Sequence, residues 1–243
     1  QITGTLLLDL GGHTMIRVKT IFEADARHNH VTRIYVKNGT LLAKDGAVMQ
    51  INRTTTDGYT ENKSFYFTFE NVTFGLAEGA DTKNLVCITY CDPRKSAQET
   101  CDISVIFNSC TFDLVSNAPS TPVTLINFKD GDATYIDGSA VICGGKIIAS
   151  SLENISIYDG SDGDSIVYTH NNGEYITVTL PNTADGPTGI YTTPEGNALF
   201  KESSNDGINT VYTLSVCSHI YSGDCDSFCD ECGAERKVSA AHA

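Results

Sequence analysis

Two hundred and forty-three residues suffice for one large domain or two smaller ones, with a sizeable apolar core and no need of covalent staples. Forty per cent apolar and 19% charged residues exclude a disordered chain, and no run of about 18 apolar residues is available to span a membrane. Thirty acids against 16 Lys plus Arg give a formal net charge of −14, which argues against nucleic acid as a partner and leaves a soluble surface able to attract divalent cations.

Twenty-one glycines, 11 Tyr and 10 Phe without a Trp, and many Thr, Ile and Val lean towards β-structure. No stretch of 12 or more residues keeps a 3.6 period, so few helices are expected. The chain opens inside a strand-like run, ITGTLLLDL, without an initiator Met, as a processed or excised chain would; export cannot be judged from a missing leader. Nine clustered cysteines point to an extracellular or cell-surface setting.

From residue 6 onwards five segments can be superposed: LLLDLGGHTM at 6–15, RIYVKNGTLL at 33–42, YFTFENVTFG at 66–75, SVIFNSCTFD at 104–113 and AVICGGKIIA at 140–149. Each begins with two alternating apolar residues: Leu8/Leu10, Ile34/Val36, Phe67/Phe69, Val105/Phe107 and Val141/Cys143. A turn-prone residue follows (Gly12, Asn38, Asn71, Ser109, Gly145), then Thr14, Thr40, Thr73 and Thr111, a row broken by Ile147. Met15, Leu41, Phe74, Phe112 and Ile148 close the units, whose equivalent residues are 26 to 38 positions apart. A second strand-like segment trails each one, at 20–22, 47–51, 84–89, 122–128 and 154–158. Strand, bend and strand at this period are accommodated if the chain coils so that equivalent strands stack in parallel, with Leu10, Val36, Phe69, Phe107 and Cys143 in one inward column.

LDLGGHTM, YVKNGTLL and FENVTFG resemble rungs of right-handed parallel β-helix proteins of the pectate-lyase-like superfamily, and the likeness covers about residues 1–160. It implies an all-β single-stranded solenoid. It implies no single reaction, because this architecture carries lyases, hydrolases, epimerases, tailspikes, adhesins and inert stalks. Residues 160–171 are Gly- and Asp-rich and read as a loop closing a coil domain of 1–171. EYITVTL, GIYTT, NALFKES and NTVYTLSV alternate like short antiparallel strands, so 172–216 is expected to be a small β cap over the coil end or a C-terminal β element following it.

At 217–243 the composition changes to CSHIYSGDCDSFCDECGAERKVSAAHA. Cys229 and Cys232 have CxxC spacing followed by Gly233, which suits a zinc knuckle; Cys225 supplies a third ligand, and Cys217 or His219 a fourth, ahead of His242. The run resembles the short Cys-rich modules of Firmicutes surface and secreted proteins through His219, Tyr221, Cys225, Asp226, Cys229, Cys232, Gly233, Arg236 and His242. So short and polar a segment needs a crosslink to fold, either structural zinc or two disulfides, and without one it would be a flexible reduced tail. Cys110 and Cys143 fall in rung strands as small buried hydrophobes. Cys91 and Cys101 flank DPRKSAQET and would form a disulfide in an oxidising compartment, with Cys87 as a competing partner.

Polar residues that could meet a ligand concentrate in the loops at 23–30, 53–62, 91–101 and 129–135, which stacking would place along one side as a groove. Acid–base candidates there are Asp25, Arg27, His28, His30, Asp57, Arg94 and Lys95; glycan-contacting candidates are Arg53, Tyr59, Lys129, Asp130 and Asp132. A uronate lyase needs a cation to neutralise the carboxylate and a base for the C5 proton, and a glycosidase needs two carboxyls about 5–9.5 Å apart. No NTD, DD or GHG constellation and no RxxPxxR-like stretch is present. DGSDGDS at 159–165 lacks the spacing of a calcium loop, which leaves calcium as a minor expectation. The sequence therefore points to a monomeric extracellular or cell-surface β-helix contacting polysaccharide or surface glycans. The alternatives are a polysaccharide lyase or glycoside hydrolase, and a structural stalk or adhesin segment.

Overall fold

Apolar residues at every second position can be buried along one face only if neighbouring segments stack in register. The computed structural model, which describes residues 4–25, 31–52, 63–90, 101–118, 123–130, 136–152, 157–158, 165–222 and 227–235, shows that stacking directly. The chain is all-β, with no α-helix among the described residues.

Two sheets share the chain. The larger has 13 strands. Its parallel part is built from β1 (Gly4–Asp9), β2 (Thr14–Arg17), β4 (Val31–Ala43), β6 (Lys63–Leu76), β8 (Cys101–Asn108), β9 (Thr111–Asp113), β11 (Ile136–Cys143), β12 (Lys146–Ile148), β14 (Ser165–Thr169) and β15 (Thr177–Pro181). The smaller contains β3 (Phe22–Asp25), β5 (Met49–Asn52), β7 (Asn84–Tyr90), β10 (Thr124–Asp130) and β13 (Ile157–Tyr158), all parallel. The chain alternates between them, running a strand, a bend and a strand in the large sheet and then one strand in the small sheet.

The large sheet is mixed rather than purely parallel. β18 (Asn209–Val216) pairs antiparallel with β15, β17 (Gly196–Asn205) with β18, and β16 (Tyr191–Thr193) with β17. This meander covers an edge that would otherwise present unpaired backbone groups.

Register gives the inward columns. Leu8, Val36, Phe69, Phe107, Ile142 and Tyr168 are successive partners, as are Met15, Leu41, Phe74, Phe112, Ile147 and Val178. Phe69 and Phe107 stack at 5.7 Å and Phe74 and Phe112 at 5.2 Å, and these four rings are fully buried. Positive φ at Asn38 (57°), Asn71 (52°) and Ser109 (51°) turns the chain between the two columns, a conformation that short polar side chains tolerate.

The expected alignment is corrected at both ends. Leu10 is buried but lies beyond the register of the column, where Leu8 stands opposite Val36. The first bend holds two residues more than the second, so one offset cannot align both of its sides. At the other end Ile142, not Cys143, faces Phe107, and Ile147, not Ile148, faces Phe112. Adjacent Gly144 and Gly145 make the bend ambiguous in sequence, and a slip of one residue exchanges inside for outside. Cys143 is accordingly half-buried rather than a core residue.

The parallel stacking also extends one step further than the five segments. Ser165–Thr169 pairs with β11 and Thr177–Pro181 with β12, both parallel, although 160–171 read as a loop and 174–180 as part of the cap. The Thr row is broken at Lys146 and resumes at Thr177 and Thr213.

Candidate metal centre

β18 ends at Val216, and Cys217 still belongs to the sheet: its N–H donates to the Asn197 carbonyl at 2.8 Å. The next residues leave the sheet through His219, whose φ of 55° reverses the chain. The returning segment forms a knuckle. Gly233 N–H donates to the Cys229 carbonyl (2.8 Å), Cys229 N–H to the Ala234 carbonyl (3.0 Å), and Phe228 bridges Glu235. Gly233, at φ 65°, supplies the left-handed turn that the CxxC-Gly pattern demands. Asp230 N–H donates to the Ile220 carbonyl (2.8 Å), which ties the knuckle to the segment leaving the sheet.

These turns bring Cys217, His219, Cys229 and Cys232 together, with their ligand atoms all within 4.8 Å of one another. Cys217 Sγ lies 3.6 Å from Cys229 Sγ, and Cys232 Sγ lies 3.3 Å from His219 Nδ1. Ligands on a tetrahedron with bonds of about 2.3 Å to sulfur and about 2.0 Å to nitrogen stand roughly 3.5–3.8 Å apart. The cluster could therefore hold a metal ion. The three cysteines are buried free thiols, surrounded by Leu199, Tyr221 and Ala234, while His219 is exposed.

The electrostatics are uneven. Burial raises the Cys217 thiol and outweighs the His219 N–H; its neighbours Cys232, Cys229 and Glu231 push it further, to about 12. At Cys229 burial also opposes ionisation, but the Cys232 N–H, the His219 ring and the Glu231 N–H prevail and bring it down to about 6. Glu231, which accepts from Cys217 Sγ at 3.5 Å, is itself paired with Lys201 at 3.0 Å, so part of the negative charge around the sulfurs is offset from β17.

Cys217, His219, Cys229 and Cys232 thus converge as a group, and the Cys-x-His spacing delivers two ligands together. Sequence offered Cys217 and His219 as alternatives and did not foresee both. Cys225 lies outside the described residues, as do Arg27, His28, His30, Arg53, Asp57, Tyr59, Cys91, Arg94, Lys95, Asp132 and residues 159–164. Asp25 ends β3, Lys129 and Asp130 end β10, and Cys101 begins β8. Cys110 is buried, with its thiol raised to about 12 by burial, and its Sγ reaches the Phe69 carbonyl at 3.5 Å.

No family model, no curated protein and no solved structure matches the chain.

Proposed function

We propose that the protein is a right-handed parallel β-helix scaffold of an extracellular or cell-surface protein, contacting polysaccharide through loops on one edge. One observation carries this reading: the strands of the five-stranded sheet end together. Asp25 stands opposite Asn52, Ile51 opposite Ile88, and Tyr90 opposite Asp130, so the first four strands stop within about one residue of each other. The segments that follow carry Arg27, His28, His30, Arg53, Asp57, Tyr59, Arg94, Lys95 and Asp132. Segments that leave aligned strand ends suit a repetitive, extended ligand. Glycan-array binding by the intact chain tests this. Binding that weakens in Arg53→Ala and Lys95→Ala supports it, and a blank array contradicts it. Release of unsaturated uronate or new reducing ends would instead establish the enzyme alternative.

The Cys217, His219, Cys229 and Cys232 group is proposed to bind structural zinc. Three thiolates and an imidazole form the soft, tetrahedral donor set that zinc favours, and four protein ligands leave no open position for catalysis. Metal analysis of the purified chain should find about one zinc; none, with the thiols paired as disulfides, would replace zinc by covalent staples.

A further inference from the structure

Where the parallel stack meets the antiparallel meander, the outer face of the large sheet carries an open groove of about 710 Å³. Its floor is one row of cross-strand partners: Thr111 opposite Lys146, Lys146 opposite Thr177, and Thr177 opposite Thr213. Four strands at about 4.8 Å spacing make this row roughly 14 Å long. Glu174 and Tyr175 form the wall beside it.

The wall is rigid. Tyr175 donates its hydroxyl to Glu195 Oε2 at 2.5 Å, and its ring meets His170 edge-on at 5.5 Å, while His170 Nε2 lies 3.6 Å from Glu195 Oε1. The groove carries one charge of each sign, and the Lys146 ammonium also acts on nearby Asp113. Lys146 and Glu174 are exposed, and neither side chain makes a hydrogen bond or ion pair among the described residues.

We infer that this groove binds a sugar ring of a polysaccharide. The inference rests on the glycan-binding reading above but assigns a site apart from the loop edge. A peptide held by strand addition needs a free backbone edge, and β9, β12, β15 and β18 are each paired on both sides. Recognition must then come from side chains: a row of hydroxyls, one ammonium, one carboxylate and a fixed aromatic ring. Together these fit a ring with several hydroxyls and an apolar face.

Isothermal titration of the intact chain with oligogalacturonate and with cello-oligosaccharide tests the site, using Lys146→Ala and Glu174→Ala at exposed positions that the fold does not require. Binding of either sugar is expected to weaken about tenfold or more in at least one variant, as loss of a charge-assisted hydrogen bond implies. An effect of Lys146→Ala confined to oligogalacturonate identifies an acidic sugar, and equal effects on both identify a neutral ring. Binding that neither variant alters overturns the groove and leaves the loop edge as the site. Failure of both sugars to bind also overturns the groove, whereas the broader glycan reading falls only with a blank array.

Discussion

At the residue scale the stack depends on a few positions where geometry leaves little choice. Phe69 touches Phe22, Phe67, Phe74 and Phe107 and is fully buried. Phe69→Ala should cost about 3–5 kcal/mol in equilibrium denaturation, since rings fixed by neighbours above and below cannot collapse into the cavity. Gly145 has φ 89°, and a Cβ there would sit 2.1 Å from the Cys110 carbonyl oxygen. Gly145→Ala should destabilise by at least the roughly 1–3 kcal/mol of a strained backbone, with the backbone clash added. Asp113 accepts from the Val115 and Ser116 N–H groups at 3.0 and 2.9 Å. Burial raises its pKa, but the Ser116 hydroxyl and these N–H groups prevail and hold it below the usual 3.8. A depressed folded-state pKa gives stability that is present above 3.8 and lost as pH falls through the folded value. Asp113→Ala should therefore cost about 1 kcal/mol at pH 7, and wild type and variant should converge in acid urea titrations below that range. Cys143, half-buried, should be alkylated in the native protein before buried Cys110, as peptide mass spectrometry would show.

At the element scale, the repeats were legible because period-2 burial imposes a pattern on every rung. Segments centred on Phe69 and Phe107 carry that pattern with a single Asn or Ser at the bend, and their register followed from sequence. The first and fifth segments did not yield theirs. The Asp9–Thr14 bend is longer than its neighbours, and paired glycines at 144–145 offer two equally good corners. The last step of the parallel stacking escaped because Gly- and Asp-rich residues precede Ser165 and a wider turn at Asn171–Glu174 separates its halves. The outer groove was illegible for another reason: Thr213 reaches Thr177 only through antiparallel pairing of a strand more than 30 residues away, which no local spacing records. The knuckle is the reverse case, written in Cys229, Cys232 and Gly233. Cys229→Ser should reduce bound metal from about one equivalent to a small fraction and disorder residues 227–235, leaving the far-UV signature of the sheets unchanged. Lys201→Ala should change stability by less than about 1 kcal/mol, because its pair with Glu231 is solvent-exposed.

At the scale of the whole molecule, stability is expected to be distributed along the stacked strands and to weaken towards the knuckle. Aromatic and aliphatic columns run from Leu8 to Tyr168 and from Met15 to Val178, so each turn supports its neighbours. The β16–β18 meander seals one end, and Cys217, bonded to Asn197, links that meander to a knuckle with few apolar residues of its own. Ordering such a knuckle costs about 1–2 kcal/mol per residue of backbone entropy, which a metal bound to four ligands can offset. The most direct test is hydrogen exchange by mass spectrometry on the zinc-loaded chain before and after chelation. Chelation should abolish protection across 227–235 while 63–76, 101–108 and 177–181 keep theirs. A knuckle that stays protected without metal, or coil strands that lose protection along with it, would contradict a metal-held module seated on a self-supporting stack.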